Sequence, residues 1–360
     1  MLYELLNYLV PYFTPLNVFR YITFRTALAA LTALFVTLII APKVIEWLKK
    51  ISMTQQIRDD GPKTHLSKAG TPTMGGIIII FSILAAMALW GDLDNEYVLV
   101  VMLSLIGFGA IGFIDDYLKA VMKNPTGLKA RYKFGAQTVL ALVISLALYN
   151  NPNDANTATL SVPFFKKWLL DLGMFWIPFS MLVVVGSSNA VNLTDGIDGL
   201  AIGLVAIAAC ANAALVYIAG HAQFAKYLQV LYLPGTGELT VFCGALVGAS
   251  LGFLWFNSYP AQVFMGDVGS LGLGGALGAL AVVAKQEMVL AVVGGIFVIE
   301  TISVVLQVTS YKLTGKRIFK MAPIHHHFEL KGWSEPKVIV RFWIVGIILA
   351  FFSLATLKLR

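Results

Sequence analysis

Charge is scarce in this 360-residue chain. Only 12% of its residues are Asp, Glu, Lys or Arg, about half the fraction of an ordinary soluble domain (roughly 25%). An ordinary soluble globule is therefore excluded. Cysteine is scarcer still, with two residues, which rules out a disulfide scaffold. Cys210 and Cys243 both lie in apolar runs and read as small packing residues. Histidine numbers five, three of them consecutive. What is plentiful is apolar: 58% of the chain, before its 32 glycines are counted. A mean hydropathy of +0.79 excludes a disordered chain.

The apolar residues fall into runs. Crossing a bilayer core takes about 20 apolar residues in helical form, and ten spans are expected, near 23–47, 72–90, 97–115, 134–150, 174–190, 199–219, 237–256, 268–284, 288–310 and 338–357. The fold class is thus an all-α polytopic membrane protein, a single transmembrane domain over 1–360. Ala27-Leu28-Ala29 lies at the start of the first run rather than behind it, so a cleavable signal peptide is not expected.

Ten spans place both termini on one side and sort the loops into two sets. Loops 48–71, 116–133, 191–198, 257–267 and 311–337 hold sixteen Lys and Arg, whereas the opposite set, termini included, holds seven. By the positive-inside rule the first set is cytoplasmic and both termini are external. Nearly every polar cluster of note falls in the cytoplasmic set, so any chemistry faces the cytoplasm.

Asp115 and Asp116 stand at the end of the third span, with Lys119 on the same helical face as either one. Adjacent carboxylates at a membrane boundary suit a divalent cation that in turn holds a diphosphate. A solvated helix end is the plainer reading. Asn192, Asp195 and Asp198, spaced by threes, project from one face if helical, where they read a sugar or base or else cap the sixth helix. Asp267, in Gly266-Asp267-Val268-Gly269-Ser270, is either a metal ligand beside an anion or a helix N-cap. His325, His326 and His327 lack the spacing and the cysteines of a zinc site, so phosphate or sugar contact ranks above zinc. Gly107-Phe108-Gly109-Ala110-Ile111-Gly112 matches a dinucleotide fingerprint in letters only. It lies inside a span, where small residues let helices approach closely.

Carboxylates, lysines and histidines gathered at a membrane surface are what metal-assisted phosphoryl transfer to a lipid requires. The residues also resemble a known family. Thr71 to Gly76 (TPTMGG), Asn189 to Ala201 (NAVNLTDGIDGLA), Phe264 to Ser270 (FMGDVGS) and Pro323 to Glu335 (PIHHHFELKGWSE) resemble the motifs of the polyprenyl-phosphate N-acetylhexosamine-1-phosphate transferases, over essentially the whole chain. The three histidines before Phe328-Glu329 are similar to the branch that uses a muramoyl-peptide donor.

The resemblance implies attack by undecaprenyl phosphate on UDP-N-acetylmuramoyl-pentapeptide in a bacterial inner membrane, with Mg²⁺ as cofactor and a tendency to form homodimers. It implies Asp267 as Mg²⁺ ligand, with Asp115 and Asp116 serving the metal or the lipid phosphate. Asp115 is the expected base or orienting group, and Lys119 and Lys133 are the expected phosphate-side cations. Lys68, Thr73, Asn192, Asp195, Asp198, Asn257, Phe264 and the three histidines are implied as substrate contacts, with Phe264 stacking on uracil. A related transferase with another UDP-N-acetylhexosamine donor is the nearest alternative. A secondary transporter is the rival class, but it predicts ionisable groups near span midpoints and inverted repeats, neither of which the sequence offers clearly. An aspartyl intramembrane protease fails because Phe264 occupies the first glycine of its G-x-G-D motif.

Overall fold

A computed structural model describes residues 2–51, 70–124, 126–151, 157–162 and 169–359. Lys68 lies outside them. In chain order the helices are α1 (Leu2–Leu9), α2 (Ile22–Lys50), α3 (Gly76–Trp90), α4 (Glu96–Ala120), α5 (Ala130–Tyr149), α6 (Trp176–Thr194), α7 (Leu200–Gly220), α8 (Ala222–Leu228), α9 (Leu239–Asn257), α10 (Gly266–Val283), α11 (Glu287–Val293), α12 (Gly295–Thr314), α13 (Ile324–Glu329) and α14 (Glu335–Leu359). Between α5 and α6 a small hairpin pairs β1 (Thr159–Ser161) antiparallel with β2 (Leu169–Asp171).

Among the described residues, nine helical stretches are long and apolar enough to cross a membrane, and α3, with 15 residues, is a shorter apolar helix at the second expected span. The chain is a multi-pass membrane protein. Large apolar side chains such as Phe35, Phe81, Leu103, Val139, Leu182 and Ile348 point outward from the bundle, as hydrocarbon on all sides permits. Two expectations change. The run 288–310 is not one helix but α11 and α12, parted at Gly294. Cys243 is buried as expected, but Cys210 is exposed on the surface of α7.

The centre of the bundle is α10. Every residue from Val268 to Val283 is buried, which its small residues permit: a Cβ at Gly274 would stand 2.6 Å from the Ser187 carbonyl oxygen, and one at Gly278 would stand 2.8 Å from Val184 Cα. Helices α3, α4 and α6 pack around it, while α2, α9 and α7 form a second group. The G-x-G-x-x-G letters serve this packing, since a Cβ at Gly112 would overlap the Asp267 backbone. At the end away from the site, buried Arg25 of α2 makes a two-pronged ion pair with Glu238 (2.8 and 2.7 Å) and also donates to the Trp90 carbonyl. Beside the hairpin, buried Lys285 donates to the Thr157 carbonyl (2.6 Å) and lies over the Trp176 ring.

Candidate active site

The N-terminus of α10 meets the C-terminal turn of α4, and this juncture gathers the catalytic candidates. Two strips of backbone make it rigid. Phe264 N–H donates to the Pro72 carbonyl, and the N–H groups of Gly75 and Gly76 donate to the carbonyls of Phe264 and Met265 (2.8–2.9 Å). The motif before α3 is thereby stitched to the motif before α10. Gly76 cannot carry a side chain there, because its Cβ would overlap Gly269, and Gly266 adopts φ +71 to start the helix.

Asp267 is in the first turn of α10 and is not its cap. Its Oδ2 accepts from Lys119 Nζ (3.0 Å) and Lys133 Nζ (2.7 Å), and its Oδ1 accepts from Asn192 Nδ2 (2.8 Å). The same two lysines donate to Asp115 Oδ2, at 2.8 and 3.0 Å. Lysines from α4 and α5 thus bridge carboxylates from α4 and α10 that are 152 positions apart in the chain. Asp115 Oδ1 accepts the Leu128 N–H (2.7 Å), which holds the α4–α5 turn over the cluster. Asp116 points the other way: its Oδ2 accepts the Val268 N–H (3.1 Å) and so caps α10 from outside the helix.

The Asn192, Asp195 and Asp198 spacing does not form one helical face, because α6 ends at Thr194. Asn192, still helical, binds Asp267 and Ser270 Oγ. Asp195 follows the helix, with its carboxyl sunk toward the cluster. Burial, with the charges of Asp267, Asp116 and Asp198 around it, pushes it up to about 8. Asp198 is buried, and its Oδ2 accepts the Ala261 N–H (3.0 Å) while its own N–H donates to Glu335. Asn257 is also buried and braces the same loop, accepting from Gly199 N–H and donating to the Val263 carbonyl. Thr73 and Phe264 are half-buried on the stitched strips.

The three histidines part company on α13. His325 is fully buried, with Nδ1 3.1 Å from Glu300 Oε1 of α12. His326 Nδ1 pairs with Glu329 (2.8 Å). His327 Nδ1 accepts the Lys320 N–H (3.1 Å), which leaves the proton on Nε2. Burial, with Lys331 and Lys320 nearby, holds His327 below the ordinary histidine range. Glu300 and Glu335 are the residues that sequence reasoning missed. A lone carboxylate inside the apolar run 288–310 was the available signal for the first.

The hard carboxylate oxygens of Asp267 and Asp115 are of the kind that bind Mg²⁺ together with substrate phosphates, and the Lys119 and Lys133 ammonium groups occupy the space between them. Among the described residues no group of three or more His, Cys, Asp or Glu side chains is arranged to hold a metal unaided.

Residues 98–285 match the family model described as Glycosyl transferase family 4. Residues 68–80 match the phospho-N-acetylmuramoyl-pentapeptide-transferase signature 1. Over 361 aligned residues, covering 100% of both chains, the sequence is 68% identical to the phospho-N-acetylmuramoyl-pentapeptide-transferase of Thermodesulfovibrio yellowstonii. The chain belongs to the phospho-N-acetylmuramoyl-pentapeptide-transferase family.

Proposed function

We propose that this protein transfers phospho-N-acetylmuramoyl-pentapeptide from its UDP-linked donor to undecaprenyl phosphate, releasing UMP and forming lipid I for peptidoglycan synthesis in the bacterial inner membrane. The observation that carries the reading is the four-point cluster of Asp115, Lys119, Lys133 and Asp267 within a chain whose full length matches a transferase of that name. The site end of the bundle is cytoplasmic in this reading, both termini are external, and the protein works as a homodimer.

An oxygen of the lipid phosphate attacks the β-phosphorus of the donor, and the bond to the oxygen of the departing UMP breaks. Such transfers need positioned charge more than covalent help. Lys119 and Lys133, held between two carboxylates, can turn one N–H each toward a phosphate oxygen without leaving their partners, since an ammonium has three donors. Asp115 orients the lipid phosphate or takes its proton. Asn192 keeps Asp267 turned toward the lysines. Asp267 and Asp115, with Asp116 behind them, would hold Mg²⁺, which when bound supplies charge neutralisation at the diphosphate. The loop from Asp195 to Gly199, braced by Asn257, receives the nucleoside, with the Phe264 ring beside it.

Donor choice has a structural counterpart. A cavity of about 660 Å³ next to the histidine segment is lined by Gln307, Tyr311, Lys312, Arg317 and Lys320, and its cations suit the terminal carboxylate of a peptide-bearing donor. Purified protein in detergent, given both substrates and Mg²⁺, is expected to release UMP. Asp267→Asn and Asp115→Asn should each lower the rate by at least about a hundredfold. Release that survives EDTA and both substitutions contradicts the metal-carboxylate mechanism. Equal turnover of UDP-N-acetylglucosamine contradicts the donor assignment.

A further inference from the structure

The pair formed by His325 and Glu300 has no part in the steps above, yet it is the most completely buried ionisable pair in the described residues, both side chains being 0% exposed. Neither ring nitrogen and neither carboxylate oxygen has a hydrogen-bond partner among the described residues, so the two groups meet only as a close polar contact, Nδ1 to Oε1, at 3.1 Å. Burying such groups with so little compensation is costly, and a well-packed apolar pair is often as stable or more so. The geometry gives the pair a task. With Nδ1 turned to Glu300, the Nε2 edge of the ring lies directly against Gly196, where a Cβ would overlap it. Gly196 is exposed on its other side, in the loop between Asp195 and Asp198. A carboxylate on a crossing helix, an imidazole and the back of the nucleoside loop are therefore in line.

We propose that Glu300 is a positioning residue acting through His325: its carboxylate fixes the ring so that the Nε2 edge supports Gly196 and holds the Asp195–Gly199 loop in the shape that receives the donor. The inference rests on the donor reading given above. It restricts His325 to supporting the donor loop from behind. It also explains why position 196 is glycine, since any side chain there strikes the ring.

Steady-state UMP release by the full-length protein in detergent tests this. Glu300→Ala should raise the donor KM about tenfold, the size of coupling expected for buried partners in contact, with the lipid KM unchanged. Glu300→Gln should recover most of the affinity, because a side chain of the same shape keeps a polar oxygen against Nδ1 and the ring in place. The Glu300→Ala/His325→Ala double variant should be no weaker than His325→Ala alone. Losses that multiply, a lipid KM that rises with the donor KM, or a Gln variant as poor as Ala would overturn the proposal. Should Glu300→Ala fail to fold, Gly196→Ala approaches the same contact from the loop side. It should raise the donor KM in the wild-type background and have no further effect once His325 is Ala; an unchanged donor KM in the wild-type background overturns the idea. Wild-type turnover of the muramoyl-pentapeptide donor is the control. Its absence contradicts the donor reading itself, whereas its presence with uncoupled variants contradicts only the role of Glu300.

Discussion

Individual side chains here are judged by what surrounds them. Glu287, at the start of α11, is a carboxylate almost wholly buried at 4% exposure. Burial pushes it up to about 7, against the smaller downward pull of Lys285. The folded protein therefore keeps this proton where the unfolded chain has lost it, and stability declines as pH rises from about 4.5 to 7 and stays lower above that. Glu287→Gln removes the penalty. Thermal unfolding in detergent should find the variant more stable than wild type by up to about 3 kcal/mol at pH 8, with little difference at pH 4.5; equal shifts at both pH values would contradict this account. The residues legible in the sequence were those whose chemistry is rare in an apolar chain: Asp115, Asp116, Asp267 and the histidines. Of their partners only Lys119, one turn on from Asp115, was legible as well. Nothing in the spacing of Asp267 and Lys133 says that they touch, because the contact depends on how α5 packs on α4 and α6. Asp116 looked equivalent to Asp115 until the Val268 N–H turned it away.

At the scale of elements, periodicity and run length located the spans because hydrocarbon demands long apolar helices. They failed where the chain departs from that demand. Gly294 parts α11 from α12 inside the run 288–310, whose one charged residue is Glu300. The β1–β2 hairpin is three residues per strand, too short for an alternation to register in the sequence. The end of α6 at Thr194 removed the expected shared face of Asn192, Asp195 and Asp198. Glycine offers the sharpest test at this scale. Gly76 and Gly112 each touch the backbone at the start of α10, whereas Gly135 in α5 has open space around its Cα. Gly76→Ala and Gly112→Ala are expected to displace Asp267, reduce UMP release by at least about tenfold and cost about 3 kcal/mol or more. Gly135→Ala should leave activity intact and stabilise the helix by up to about 1 kcal/mol. Circular dichroism melts and initial rates on the three variants distinguish a close approach between backbones from a general preference for small residues.

For the whole molecule, one hydrophobic cluster runs from Ala29 to Leu357, and the ionisable residues in regular contact lie mostly at its two ends. The end with Arg25, Glu238 and Lys285 fastens helices. The end with Asp115, Lys119, Lys133 and Asp267 is the proposed site of chemistry. Charge bias between the loops was readable in the sequence and is the ground on which the second end is proposed to be cytoplasmic. In a Cys210→Ala/Cys243→Ala background, Lys226→Cys should react with an impermeant maleimide in intact cells, and Lys316→Cys only after lysis. The reverse pattern would invert the molecule and with it the side on which the nucleotide arrives.

The bridging of two carboxylates by two ammonium groups has a consequence for selectivity. Two positive and two negative charges cancel, so the resting cluster offers no net attraction to a passing phosphate. An anion gains there at most one spare N–H from each lysine, and inorganic phosphate has nothing else to contribute. In the proposed reaction a substrate tethered elsewhere, by its base in the Asp195–Gly199 loop or by its prenyl tail in the bilayer, would arrive at high effective concentration and take up those N–H groups. In that reading, self-neutralisation of the metal-free cluster would favour two large tethered phosphates over the small free ones around them.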